Sequence, residues 1–292
     1  MLLHARVGLA FRPESFRMSH SFNHRFGGIA RLYGQAALER FHQAHVAVVG
    51  IGGVGSWSVE ALARSGIGKL TLVDLDEICE TNINRQLHAM DGQIGRQKTA
   101  AMAERVHAIH PECEVTVVSS FFKEATADEI FKGGFDAVID AIDTRAHKAL
   151  LLAECVKRGI HVVTCGAAGG RRNPTLIQVE DLAFSGKDAM LQQLRRTLRR
   201  DHGFAKAPEG GRPEAMGIEA VFSPEPPWYA QCDGEVSHEK PEEDNSNGDS
   251  SHPPKGGPVL GCDWGMGSVT HVTASFGQIA AGRVLEKLAQ RD

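Results

Sequence analysis

HVAVVGIGGVG, residues 45–55, reads as a strand running straight into a glycine-rich turn. Four consecutive apolar residues, Val46 to Val49, suit a strand buried on both faces, and the glycines mark the turn that follows. Residues 53–65 then show helical periodicity. Working outward, KLTLVD (69–74) is a second strand and 95–109 a second helix. Cys113–Ser119 is a third strand, Asp128–Phe131 lies in a short helix, and FDAVIDA (135–141) is a fourth strand. A helix at 144–158 leads to a fifth strand, HVVTCG (161–166). Strands separated by helices of this length build parallel βαβ units with right-handed crossovers. The expected fold is α/β: a doubly wound, mostly parallel sheet of Rossmann-like type, with a C-terminal α+β extension.

The flanks are less regular. Residues 1–21 carry no pattern and are expected to be a disordered extension, with Met18 a rival to Met1 as the start. Residues 21–44 read as helical pieces interrupted by Gly27, Gly28 and Gly34. A nucleotide-binding domain is expected over 22–170 and an extension that completes the sheet over 171–292. That extension holds a strand in TLIQVED (175–181), a basic helix over Lys187–Arg200 and a strand in EAVFS (219–223). Clustered Pro, Gly, Ser, Asn and acidic residues at about 233–258 predict a mobile loop. Ser268 is placed to cap a last helix carrying Val269, Val272, Phe276 and Ile279 on one face.

Composition excludes some classes. The net charge of −4 over 292 residues gives no global reason to bind nucleic acid, so such a partner must be argued from a local patch. The six cysteines show no CxxC pair, which favours reduced thiols in a cytoplasmic protein. No run approaches the ~18 apolar residues that span a bilayer, and Arg6, Arg12 and Glu14 interrupt any signal-peptide core.

The turn at Gly50, Gly52, Gly53 and Gly55 stands where a strand meets a helix. There glycines permit the tight bend, let backbone N–H groups approach a phosphate, and bring helix against sheet. The helix N-terminus adds unpaired donors and partial positive charge. Asp74 ends the next strand, where a carboxylate can hold ribose hydroxyls. So far a nicotinamide-dependent dehydrogenase would look the same.

The next residues separate the readings. Asp74-Leu75-Asp76 precedes Asn82-Ile83-Asn84-Arg85-Gln86, then Lys98, then Asp143 just past the fourth strand. All follow strand ends on one edge of a parallel sheet, where ligands bind. A carboxylate attacking the α-phosphate of ATP brings anion to anion and expels pyrophosphate. Arg85 and Lys98 can neutralise that charge, and Asp143 can hold Mg²⁺ across the phosphates. Hydride transfer has no use for this set. Singly, each has a plain explanation: Arg85 a surface ion pair, Lys98 an exposed helical lysine, Asp143 a helix cap ahead of Thr144. The ordered combination favours chemistry.

GIGGVG, LVDLD, NINRQ, the lysine of GRQK and the aspartate of AIDT together resemble the ThiF/MoeB group, relatives of the ubiquitin-activating enzymes, over roughly residues 25–170. The resemblance implies ATP held by the glycines, Asp74 and Asp76. It implies phosphate contacts from Asn82, Arg85, Gln86 and Lys98, and Mg²⁺ on Asp143. The chain departs from that pattern in lacking the two zinc-binding CxxC pairs. It also has Gly28 where an arginine lent to the partner subunit is expected, with Arg25 and Arg31 as possible substitutes.

GAAGGRRNPTLIQVEDL, EAVFSPEPP and GPVLGCDWGMGSVTHVTASFGQ extend the likeness to nearly all of 22–290, and there it is to the tRNA threonylcarbamoyladenosine dehydratases. That resemblance implies ATP-dependent cyclisation of threonylcarbamoyladenosine in the anticodon loop through a carboxyl-adenylate. It further implies a homodimer linked to a cysteine desulfurase and its sulfur acceptor. Arg195, Arg196, Arg199 and Arg200, with Arg171 and Arg172, are the candidates for tracking tRNA phosphates, against a solvated helix face as the plain alternative. Cys232 and Cys262 are candidates for sulfur transfer, against structural thiols. The rival function is adenylation of the C-terminus of a sulfur-carrier or ubiquitin-like protein; a nucleotide-binding scaffold without activity is the third.

Overall fold

The computed structural model describes residues 19–206, 210–231, 233–240 and 266–290. β1 (His45–Val49), β2 (Lys69–Val73), β3 (Glu114–Val118), β4 (Ala137–Asp140) and β5 (His161–Cys165) are parallel neighbours in a seven-stranded sheet. Beyond β5, β7 (Glu219–Phe222) continues in parallel, and β6 (Gln178–Asp181) closes the edge antiparallel to β7. The order is β3-β2-β1-β4-β5-β7-β6, so the winding reverses between β1 and β4. A crevice opens at such a reversal, outside the carboxyl ends of the strands.

Both faces of the sheet are covered, which is why β1 is apolar without alternation. Val46 and Val48 pack under α2 (Gln35–Gln43), α3 (Gly55–Arg64), α4 (Lys98–Ile109) and α8 (Thr270–Ala289). Ala47 and Val49 pack under α5 (Glu124–Phe131), α6 (Arg145–Lys157) and α7 (Ala189–Asp201). The last helix reaches across the chain to lie on the first βα unit. Gly277 makes that approach possible: a Cβ there would stand 2.4 Å from the Val54 carbonyl oxygen and 2.9 Å from Trp57 Cβ. The Ser58 hydroxyl donates to the Gly277 carbonyl at 3.0 Å.

Five expectations need correction. Order begins before residue 22, because α1 (His20–Tyr33) is capped by Ser19, whose hydroxyl accepts the Phe22 N–H at 2.9 Å. That helix runs through Gly27 and Gly28, since Phe22 and Phe26 are buried against Leu38 and outweigh the glycine cost. It stops only at Gly34, where φ is 90°. Residues 1–18, Met18 included, lie outside the described residues.

The expected loop from 233 is also too long at its start. β8 (Tyr229–Ala230) and β9 (Val236–Ser237) form a small antiparallel hairpin, closed by Gln231 N–H on Glu235 O at 2.9 Å. The rest of that loop, 241–258, lies outside the described residues. The strand expected from 175 starts at Gln178, because Pro174 opens a short 3-10 turn over Pro174–Leu176. Ser268 does not cap α8: Val269 holds the cap position with no side-chain bond. The Ser268 carbonyl instead accepts Asn84 Nδ2 at 2.9 Å.

Candidate active site

The glycine turn tolerates no side chains where it is tightest. Gly50 leaves β1 with φ 89°, and a Cβ there would meet the Ala141 carbonyl oxygen at 2.7 Å. At Gly55 a Cβ would fall 1.8 Å from the Gly50 oxygen. The turn is thus wedged against the exit of β4, at the crevice. Asp74 fastens it to β2: its carboxylate accepts the Ile51 N–H at 2.6 Å and the Asp76 N–H at 2.8 Å. Asp74 therefore shapes the turn, beyond the ribose contact expected of it.

The NINRQ segment is clamped onto this turn. Asn82 is buried and its amide oxygen accepts the Cys79 N–H at 3.2 Å, closing a 3-10 turn over Glu80–Asn82. The Arg85 carbonyl accepts from Trp57 Nε1 at 3.2 Å, and Leu87 N–H donates to the Ser56 hydroxyl at 3.2 Å. Arg85 lays its methylenes over Gly53, with Cγ 3.4 Å from where a Cβ would be. Its Nη1 donates to Thr81 O at 2.8 Å and Asn84 Oδ1 at 2.9 Å. Gln86 Nε2 lies 3.8 Å from the corresponding point on Gly52. Buried His88 donates Nε2–H to the Ile51 carbonyl at 2.8 Å, and burial holds its pKa below the ordinary histidine value.

Lys98 opens α4 and is buried, with Nζ 2.8 Å from Asp76 Oδ2. A continuous chain of bonds therefore joins Lys98 through Asp76 and Asp74 to the glycine turn. Asp143 stands exposed past β4, two residues from the carbonyl that touches Gly50. It accepts from the Thr144 hydroxyl at 3.2 Å, and α6 has no side-chain cap, so Asp143 is not spent as one. Beneath it, Asp140 and Lys148 form an ion pair at 2.9 Å with both side chains fully buried. Thr164 and the Ile142 N–H complete the Asp140 shell at 2.7 and 3.1 Å. Burial pushes the Asp140 carboxyl up, against the pull of Lys148 and these donors.

Among the described residues, no group of three or more His, Cys, Asp and Glu side chains could hold a metal alone. A divalent cation here would have to share its ligands with phosphate. Mg²⁺ suits that arrangement, since it takes one or two carboxylates and fills its shell with phosphate oxygens and water. An exposed Asp143 with one weak partner fits.

Of the residues singled out in the sequence, Gly50, Gly52, Gly53, Gly55, Asp74, Asp76, Arg85, Gln86 and Lys98 meet around one turn, with Asp143 on the adjoining strand exit. Trp57, Ser56, His88 and Thr273 were missed. They act through backbone atoms of the turn, of Arg85 and of Leu87, for which sequence spacing has no signature. Thr273 Cγ2 lies 3.4 Å from the Cβ position of Gly53. Arg25 donates to Ile109 O at 3.2 Å, at the end of α4 remote from Lys98. The helix carrying Arg31 is tied by Tyr33 to Glu286, near the far end of α8. Neither arginine sits at its own glycine turn.

The arginine stripe is divided. Arg195 follows the buried face of Leu191, Leu194 and Leu198 and turns inward, Nη1 on the Ser185 hydroxyl at 2.6 Å. Arg171 is buried, with Nε and Nη1 unpartnered and its pKa lowered by desolvation. Both are removed from a phosphate-tracking face. Arg196, Arg199 and Arg200 instead line an open groove with Lys206, and Arg172 is exposed elsewhere. Cys113, Cys155 and Cys165 are buried thiols pushed up by desolvation, the first and last to about 12. Cys232 and Cys262 lie outside the described residues. No helix of the described residues is long and apolar enough to cross a membrane.

Known proteins share this architecture. The ThiF family model matches residues 27–291. The tRNA threonylcarbamoyladenosine dehydratase of Haemophilus influenzae is 44% identical over 271 residues, covering 93% of this chain and 95% of that protein. The crystal structure of the Escherichia coli tRNA N6-threonylcarbamoyladenosine dehydratase with ATP superposes with a TM-score of 0.76 at 41% identity, over 92% of this chain and 96% of that one. The same enzyme with AMP gives 0.78 at 42%, over 94% and 97%. A nucleotide crevice at the winding reversal, flanked by two cations, and likeness over nearly the whole length agree: the chain belongs to the ThiF family, in its tRNA threonylcarbamoyladenosine dehydratase branch.

Proposed function

We propose that this chain uses ATP to adenylate the carboxylate of threonylcarbamoyladenosine in the tRNA anticodon loop, and that the neighbouring ureido group then closes a ring. The carboxylate oxygen attacks the α-phosphorus and pyrophosphate leaves. The ureido group attacks the activated carbonyl carbon and gives up its N–H proton to solvent, and AMP departs with the former carboxylate oxygen. The observation that carries the reading is the convergence of Arg85 and Lys98 on one glycine turn through Gly53 and the Asp76–Asp74 chain.

In this scheme the backbone N–H groups of residues 52–55, at the start of α3, hold phosphates, while the Ile51 N–H stays on Asp74. Arg85 and Lys98 stabilise the charge that builds as pyrophosphate leaves. Asp143 would hold a Mg²⁺ ion, which would supply further neutralisation of phosphate charge. Asp74 keeps the turn in shape and adds a ribose contact. No covalent cysteine is required, because the nucleophile is tethered beside its electrophile; the buried, high-pKa thiols suit that economy.

The groove of Arg196, Arg199, Arg200 and Lys206 is assigned to tRNA phosphates. A homodimer, a cytoplasmic location, and traffic with a cysteine desulfurase and sulfur acceptor belong to the same reading. A dimer would also give Arg25 or Arg31 a route to a neighbouring site. The test is ATP–pyrophosphate exchange with alternative carboxylate donors. Exchange that requires tRNA bearing threonylcarbamoyladenosine supports the reading. Exchange with a carrier protein ending in Gly-Gly, and none with tRNA, would replace it.

A further inference from the structure

Beside the glycine turn lies a ledge of planar groups that the adenylation chemistry does not use. The Arg172 guanidinium carbon sits 4.2 Å from the Trp228 ring centroid. The His238 imidazole packs against the same indole, with centroids 3.9 Å apart, and its Nδ1–H donates to the Pro227 carbonyl at 3.0 Å. Arg172 and His238 are exposed and Trp228 is half-buried, so the stack presents planar, cationic surface outward.

The ledge is held rigidly and is continuous with the site. Gly170 is stapled on both sides, its N–H on Gly267 O at 2.7 Å and its carbonyl accepting the Trp228 N–H at 2.8 Å. His271 Nε2–H donates to the Arg172 carbonyl at 2.9 Å. On the other side of the same first turn of α8, Thr273 lies against Gly53 of the glycine turn. Asn84, next to Arg85, bonds Ser268 and Thr270 at the same helix start. A nucleotide whose modified base reaches the glycine turn would therefore have its neighbour in the strand over the ledge.

We propose that the Arg172–Trp228–His238 stack is the base-recognition surface for the single-stranded anticodon loop, taking an unstacked nucleobase next to the modified adenosine. Single-stranded RNA is read by splaying bases onto aromatic and guanidinium planes, whereas a duplex keeps its bases stacked and offers only its backbone. The ledge has that chemistry, while the Arg196 groove, with only Arg196, Arg199, Arg200 and Lys206 among its described lining residues, suits backbone phosphates. The inference rests on the proposed substrate, and the test keeps the two separable.

The experiment uses an anticodon stem-loop carrying threonylcarbamoyladenosine, with steady-state dehydration and ATP affinity measured for Trp228→Ala, Trp228→Phe and Arg172→Ala. The expected result is a KM for the stem-loop raised about tenfold in Trp228→Ala, as loss of one base stack implies, with kcat and ATP affinity within twofold of the parent. Trp228→Phe should recover most of the loss, and Arg172→Ala, an exposed change that spares folding, should raise KM several-fold. Affinity for a duplex RNA of equal phosphate number should change less than affinity for the stem-loop. Wild-type KM in both Trp228→Ala and Arg172→Ala would overturn the inference, as would equal losses on duplex and loop. Failure of the parent protein itself to process the stem-loop would instead overturn the proposed substrate.

Discussion

Replacing Lys98 with Met separates a catalytic cation from a structural one. Methionine keeps the buried stem of the side chain and removes only Nζ. In the native fold the Lys98 side chain is 7% exposed and that of its partner Asp76 is 53% exposed, so the carboxylate left behind can be hydrated. The Asp76 N–H bond to Asp74 does not depend on the lysine and survives. Stability should therefore change by about 1 kcal/mol or less, because the carboxylate left unpaired stays in contact with solvent. A preorganised charge aimed at the leaving group is worth far more, roughly 10²–10³ in rate or about 3–4 kcal/mol. Thermal unfolding and single-turnover pyrophosphate release, with ATP and modified tRNA saturating, read the two quantities. The expected outcome is a melting point within a few degrees of the parent and a rate lower by at least a hundredfold. A rate within threefold of the parent, or a loss of rate that merely follows unfolding, would refute the role given to Lys98.

Four further outcomes are expected. Lys148→Met leaves the fully buried Asp140 carboxyl without its cation and should cost about 3–5 kcal/mol in denaturant unfolding; adding Asp140→Leu should recover much of it. Gly277→Ala forces a Cβ to 2.4 Å from Val54 O, so ATP affinity measured by calorimetry should fall together with stability, although the residue contacts no phosphate. Burial, then His42, holds the His110 pKa at about 4 among Phe22 and Phe26. The unfolded chain takes up that proton near 6.5, so the contribution is full above pH 6.5 and is lost as pH falls toward 4. His110→Phe should remove on the order of 2 kcal/mol of that acid destabilisation, seen as a flatter stability profile, with His42, His45 and His88 keeping a residual slope. Reversing Arg196 and Arg199 to Glu should weaken binding of tRNA at low salt and flatten its salt dependence, while Arg195→Ala acts mainly on stability through the lost Ser185 bond.

The sheet and its crevice were legible because their signals are local. The apolar run of β1, the spacing of glycines and the carboxylate at the end of β2 each reflect neighbours a few residues away. Arg85 and Lys98 were legible through their order along the chain. The helical pieces of the N-terminus were legible but their continuity was not, because Gly27 and Gly28 argue for a break until Phe22 and Phe26 are seen packed on Leu38. Arg195 and Arg171 could not be told from their exposed neighbours: whether an arginine faces leucines or solvent depends on contacts from distant segments. The hairpin at 229–237 was hidden in polar composition, which reports the absence of a core and not the absence of pairing. Trp57 and Thr273, which hold the Arg85 backbone from α3 and α8, come from segments separated by more than two hundred residues.

The central claim is that the substrate carboxylate attacks the α-phosphate of ATP. Stem-loop RNA labelled with ¹⁸O in the threonylcarbamoyl carboxylate tests it, by mass spectrometry of the nucleotide products after one turnover. The account predicts one ¹⁸O in AMP and none in pyrophosphate. Label in inorganic phosphate, with ADP formed in step, would mean attack at the γ-phosphate and would contradict it.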